Sequence, residues 1–148
     1  MHYPDPANVS TDELYKWIGH EEKLQDPRWH NTCAIRVSLA LLGAGIPSIT
    51  SGKTTVMAGK YAGRTIDASQ KRLSEWLAKE WGEPEKFGAA LAFDNIGQRN
   101  GVISFYQLWG PFDNQGHIDL VAPHWKYRLL CEGYCYMQSV ECWFWECD

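Results

Sequence analysis

The sequence predicts an α+β fold in a single domain, residues 1–148, with helices in its first half and an antiparallel sheet in its second. Apolar residues recur at helical spacing through 33–42 and again through 73–81. Beyond Gly101 the pattern changes to short runs rich in Val, Ile, Phe and Trp, bounded by Gly and Pro. Helices first and antiparallel-type strands afterwards indicate an α+β domain. The chain has 148 residues, no internal repeat and no linker-like stretch, which suits one domain with a real hydrophobic core.

Residues 1–10 are rich in turn formers and are expected to lie extended over the surface. Ser10-Thr11-Asp12-Glu13 is a capping box, in which the Ser10 hydroxyl satisfies a first-turn N–H and Glu13 reaches back. The helix it opens should run to Ile18 and stop at Gly19. The polar stretch from His20 to His30, interrupted by Pro27, reads as loop or irregular helix. A second helix starts at Cys33. Ala34, Ile35, Leu39, Leu41 and Leu42 give it a wide apolar stripe, and Gly43, Gly45 and Pro47 end it. Residues 48–66, rich in Gly, Ser and Thr, read as a long loop with a short strand near 54–57. A third helix is capped by Asp67 or Ser69, repeats Leu73, Trp76, Leu77, Glu80 and Trp81 at helical spacing, and is stopped by Gly82 and Pro84. A loop through Gly88 and Asn95 then leads to strands at 102–108, 117–121, 127–130 and 142–146, with a turn over 111–116.

Composition narrows the function. A net charge of -4 gives no electrostatic reason to expect nucleic acid as a partner. No window reaches the roughly 18 consecutive apolar residues of a membrane span. The start, Met1-His2-Tyr3-Pro4-Asp5-Pro6, has neither the basic residues nor the apolar run of a secretory signal. Yet Cys131, Cys135, Cys142 and Cys147 crowd the last eighteen residues, a clustering that suits disulfides or a zinc site, with free thiols as the third reading. Their spacings lack the paired two-residue knuckles of zinc sites, so disulfides are expected and no metal or cofactor is. Cys131–Cys135 is the first candidate pair, closing a small loop across Gly133, and Cys142–Cys147 the second. Disulfides without a signal peptide point to a dedicated export machine. The many Trp, Tyr and Phe residues suit core packing, or a groove lined for a sugar or peptide.

The residues that carry chemistry are Cys33 and His117. A cysteine in an amphipathic helix is usually a small hydrophobe. Cys33 instead opens its helix after the polar, cap-like Trp29-His30-Asn31-Thr32. There, unpaired N–H groups and the helix dipole favour a thiolate, and the same N–H groups suit a developing oxyanion. His117 opens a strand after a glycine turn. Asp119, two residues on, shares its strand face, while Ile118 and Leu120 are expected to face the core. A carboxylate beside an imidazole fixes its tautomer and supports the imidazolium; the bland alternative is a solvated Asp119 paired with a surface base. Arg36, one turn after Cys33, either binds a substrate carboxylate or, as we favour, holds the fold together through an internal one. Gly52-Lys53-Thr54-Thr55 looks like the tail of a phosphate loop, but no strand–loop–helix context accompanies it.

The blocks Tyr15-Lys16-Trp17-Ile18-Gly19, Asn31-Thr32-Cys33-Ala34-Ile35-Arg36-Val37-Ser38 with Trp29, Gly116-His117-Ile118-Asp119-Leu120 and Trp143-Phe144-Trp145 together resemble the type VI secretion amidase effectors, most of all their fourth family. The resemblance implies a papain-like, NlpC/P60-type fold and a toxin delivered by the secretion apparatus into a rival's periplasm. It further implies cleavage of the peptidoglycan peptide stem between D-glutamate, at its γ-carboxyl, and meso-diaminopimelate, and a cognate immunity protein that blocks the groove. Cys33 then matches the nucleophile and His117 the general base. Val121 stands where such families often have tryptophan, and no carboxylate falls within 127–130, so the third member is Asp119, with Glu132 and Glu141 as alternatives. Two other readings remain: a papain-like peptidase acting on another cell-wall or isopeptide bond, and a wall-binding module that does not cut. The presence of both Cys33 and His117 argues against the second.

Overall fold

The computed structural model describes residues 3–107, 116–122 and 138–147. The chain forms two compact units, Met1–Trp76 and Leu77–Asp148. The first is built on helices, the second on a sheet.

In the first unit α1 (Thr11–Ile18) begins as its capping residues dictate. The Ser10 hydroxyl accepts from Glu13 N–H at 3.2 Å. It ends on Gly19, whose φ of 75° is left-handed. Gly19 N–H then reaches Lys16 O and His20 N–H reaches Tyr15 O, the paired bonds that close a helix through a left-handed glycine. Residues 20–30 wind into two 3-10 turns, Glu21–Gln25 and Pro27–Trp29. α2 (Cys33–Gly43) follows and is buried on every side from Cys33 to Leu42, beyond the single stripe expected. Leu14, Tyr15 and Ile18 of α1 pack with Ile35, Leu39 and Leu42 of α2 and with Val56 and Ile66.

Arg36 sits inside this helical core. Its Nε donates to Thr32 Oγ1 at 2.8 Å, and one terminal nitrogen donates to Pro4 O at 2.6 Å and Val9 O at 2.8 Å. The fold-holding role is observed, and its acceptors include neutral oxygens of the N-terminal segment. The loop over 48–66 holds two short antiparallel strands, β1 (Thr54–Thr55) and β2 (Thr65–Ile66). Gly52 belongs to this packing and not to a phosphate loop: a Cβ there would fall 1.9 Å from Ile66 O. Buried Asp67 takes the Ser51 hydroxyl at 2.7 Å, the Ser69 N–H at 2.9 Å and the Arg72 guanidinium at 2.9 Å. The N-cap of α3 (Gln70–Trp81) is Ser69, whose hydroxyl accepts from Arg72 N–H.

The second unit is a four-stranded antiparallel sheet in the order β3-β6-β4-β5, made of β3 (Glu85–Gly88), β4 (Gly101–Tyr106), β5 (His117–Val121) and β6 (Glu141–Glu146). β3 and α4 (Ala89–Ile96) occupy the stretch read as loop. One sheet face carries Ile103 and Phe105, Val121, Cys142 and Phe144, and packs with Ala92 and Ile96 of α4. The other face carries Val102, Ser104, Ile118, Leu120 and Trp145, all buried as well. Trp145 Nε1 donates to Gly82 O at 3.1 Å. Arg99 joins Glu85 of β3 and Glu146 of β6 at the end of the sheet.

The cysteine expectations divide. Cys131 and Cys135 lie outside the described residues, as do the strand expected at 127–130 and most of the 111–116 turn. Cys142–Cys147 is corrected: Cys142 is a buried free thiol within the α4-side core. Five residues along an extended chain place the two Cα atoms about 16 Å apart and on opposite faces, beyond the roughly 7 Å limit for a bridge. Burial, with the Glu141 carboxylate adding to it, pushes the Cys142 thiol far up, so it stays an inert core group.

Two measurements test this packing. Burial raises the Tyr15 phenol from 10.0 to about 12, partly opposed by the Arg36 guanidinium. The unfolded phenol ionises first, so the contribution of Tyr15 is complete below pH 10.0 and lost as pH rises to about 12. Phenolate absorbance should show one tyrosine that ionises only in this upper window, and Tyr15→Phe should abolish it; a full set of tyrosines titrating near the ordinary value would contradict the burial. Gly52→Ala forces backbone against backbone and should cost about 1–3 kcal/mol in urea unfolding. An unchanged midpoint would mean the 52–66 approach is looser than described.

Candidate active site

Cys33 is the first residue of α2, and its position follows from how that helix starts. Thr32 precedes it with non-helical backbone angles and makes no side-chain cap. Asn31 supplies the cap instead: its Oδ1 accepts from Cys33 N–H at 3.2 Å. Arg36 fixes the same turn from within, through Thr32 Oγ1. The Tyr15 hydroxyl donates to Trp29 O and holds the approach to the helix. Cys33 is only 3% exposed. A helix buried on all sides leaves its first residue little surface.

His117 and Asp119 lie on β5 in the second unit, and the structure brings them together. His117 Nε2 stands 2.9 Å from Asp119 Oδ2, and Asp119 Oδ1 accepts from Leu120 N–H at 2.8 Å. Both are buried, at 5% and 3% exposure. Register explains their setting: His117 is opposite Phe105 and Asp119 opposite Ile103. The imidazole stacks beside Phe105 with ring centroids 6.4 Å apart and planes 11° apart. The pair therefore faces the α4-side core, whereas Ile118 and Leu120 were expected to be the core-facing residues. Both faces of β5 are buried, so alternation alone does not tell which face holds the histidine.

A buried carboxylate holding one imidazole nitrogen supports a proton on the ring, as acid–base chemistry requires. Glu141 is exposed on β6, where it pairs in register with Tyr106 and Gly88, and Glu132 lies outside the described residues. His20 contacts Glu22 and Thr55 O, and His30 contacts Leu24 O, both in the first unit. Among the described residues no group of His, Cys, Asp and Glu is arranged to hold a metal. Sequence reasoning missed Phe105, because its place beside His117 depends on strand register. It noticed Asn31 only as cap-like; the short polar residue just before the helix was the available signal.

Comparison with known proteins now bears on this geometry. The family model of the type VI secretion system amidase effector protein 4, Tae4, matches residues 29–145. No curated protein matches the chain. Among solved structures, the Tae4–Tai4 effector–immunity complex from Enterobacter cloacae is similar at 18% identity and TM-score 0.70, covering 97% of this chain and 92% of that one. Tae4 alone from Enterobacter cloacae matches at 18% identity and TM-score 0.70, over 95% and 89% of the two chains. The Tae4–Tai4 complex from Salmonella Typhimurium matches at 16% identity and TM-score 0.68, over 95% and 89%. At these identities the likeness shows the fold, the papain-like α+β class that the sequence motifs imply. The matched region contains Cys33, His117 and Asp119, and the chain belongs to the family of type VI secretion amidase effector protein 4.

Proposed function

We propose that this amidase effector is a cysteine hydrolase cutting the γ-D-glutamyl–meso-diaminopimelate bond of peptidoglycan stems in the target-cell periplasm. In this reading the whole chain acts as one catalytic domain, with Cys33 as nucleophile, His117 as acid and base, and Asp119 orienting His117. The observation that carries it is the buried His117–Asp119 hydrogen bond, in which a carboxylate holds and orients an imidazole. The Cys33 proton passes to the His117 imidazole, and the thiolate adds to the γ-amide carbon. First-turn N–H groups of α2 hold the oxyanion. That of Cys33 meets Asn31 Oδ1 at 3.2 Å in the free protein, and the substrate oxygen would take its place there. Collapse breaks the C–N bond as the imidazolium protonates the diaminopimelate amine, leaving a thioester. Water, deprotonated by His117, then releases the γ-carboxylate and regenerates the thiol. The Tai4 immunity proteins bound in the Enterobacter and Salmonella complexes support a cognate immunity partner for this chain.

Digestion of purified sacculi, with fragments identified by mass, tests the reading. New termini at the D-glutamate γ-carboxyl and the diaminopimelate amine are expected; cleavage elsewhere in the stem would redirect the assignment. Cys33→Ala and His117→Ala should each abolish release; Cys33→Ala should melt near the parent, whereas His117→Ala leaves the buried Asp119 carboxylate without its imidazole and should melt lower. The double variant should be scarcely worse than either single, because the two groups act as a unit. Substantial activity in Cys33→Ala would end the covalent mechanism.

Asp119→Asn preserves an acceptor for Leu120 N–H but loses the charge that supports the imidazolium. It should lower kcat by about two to four orders of magnitude while leaving measurable cleavage. An unchanged rate would move the third role to Glu132, Glu141 or a neutral partner.

A further inference from the structure

Within the first unit, the last turn of α1 and the turn joining β1 to β2 form one continuous ledge. Met57 N–H donates to Ile18 O at 2.8 Å. Gly59 lies so close that a Cβ there would come within 2.9 Å of Trp17 O. Two large apolar side chains stand in water on this ledge: Trp17 is 53% exposed and Met57 64%. Lys16, next to Trp17 in the chain, and Lys60 and Arg64, in the same turn as Met57, are exposed too, and Arg64 O takes the Val56 N–H across that turn at 2.8 Å. Lys60 and Arg64 both stand over the Tyr61 ring, at 5.6 Å and 5.5 Å from its centroid. Between Arg36 and Asp67 the chain has no carboxylate side chain but contains Lys53, Lys60 and Arg64, in a protein whose net charge is -4. The carboxylates that flank the ledge in sequence are Asp12 and Glu13 on the first turn of α1, then Glu21 and Glu22, the last held by His20.

We propose that this ledge is a second contact for the peptidoglycan polymer, apart from the cleaved stem. The indole and thioether cover the apolar faces of glycan sugar rings, and the cations meet free carboxylates of neighbouring stems. The inference rests on the reading of the protein as a wall hydrolase. Large apolar side chains held in water are the informative exception on a protein surface, and Trp combines apolar area with few rotatable bonds. Stacking over Tyr61 orders Lys60 and Arg64 in advance of binding. Size favours a polymer over a protein partner: two apolar side chains fall far short of the roughly 800 Å² per side that a stable protein interface buries. On a polymer, a weak second contact acts through effective concentration and needs no such area. Charge agrees, because stem carboxylates are opposite in sign to the ledge's basic rim.

The test uses Cys33→Ala protein as a non-cutting trap in co-sedimentation with purified sacculi. Adding Trp17→Ala, or separately Lys60→Ala with Arg64→Ala, should weaken binding about five- to tenfold, and Trp17→Phe should weaken it less. Salt should weaken the parent trap more than the Lys60/Arg64 variant. With Cys33 intact, the same substitutions should leave hydrolysis of soluble stem peptides and the melting temperature unchanged. Unaltered sedimentation overturns the proposal, as does an equal loss on soluble stems. Lost affinity for the purified immunity protein with sacculus binding intact would make the ledge a protein interface and overturn it too. A parent enzyme that releases nothing from sacculi fails on a different measurement and overturns the wall-hydrolase reading instead.

Discussion

Arg36, a cationic residue with 2% of its surface exposed, constrains everything around the start of α2. A buried charge left without partners costs several kcal/mol, so the chain must bring acceptors to Arg36. It does so from two directions: Thr32 from the preceding turn, and the carbonyls of Pro4 and Val9 from an N-terminal segment that is otherwise irregular. The consequence is structural order where sequence alone suggests a loose surface strand. The residue that gains most is Cys33, whose turn is fixed by Arg36 within, by Asn31 at the cap and, further back, by the Tyr15–Trp29 bond. In the proposed reading, in which Cys33 is the nucleophile, the rigidity of this helix end is what positions the attacking sulfur.

The second unit solves a different problem, that of holding an imidazole and a carboxylate together away from water. Successive same-face positions on a strand place His117 and Asp119 near one another, but proximity alone does not orient a ring. Register adds the orientation, since Phe105 lies opposite His117 and lines its ring. Leu120 N–H takes the second carboxylate oxygen, so the group that holds the histidine is itself held. Such a satisfied network is tolerable in a core, whereas either partner alone would be a buried liability.

Much of this was legible in the residues. The Ser10 cap and Gly19 stop mark α1, Cys33 opens α2, and β5 has the bounds that its alternation suggests. β3 and α4 were hidden for physical reasons. Glu85-Lys86-Phe87-Gly88 shows no alternation and is a strand because β6 supplies its partner. α4 is short and lies between Gly88 and Gly97, so its glycines look like loop punctuation. The candidate site was readable as residue types at meaningful positions. It was not readable as environment: whether Cys33 is covered, or which face of β5 is the α4 side, is decided by tertiary packing. The same limit applies to Cys142, whose neighbours along the chain suggest a bridge and whose strand geometry forbids one.

Charge completes the picture. A net charge of -4 opposes approach to a wall whose stems carry carboxylates. At physiological ionic strength, however, fields fade over about 8 Å, so a surface responds to its own charges more than to the total. The chain confines its acids accordingly: none falls between Arg36 and Asp67, a span that contains the β1–β2 turn. Negative charge elsewhere aids solubility without repelling substrate from that surface. Segregation of charge along the sequence thus reconciles an acidic protein with an anionic polymer, because the local field is the one a bound polymer meets.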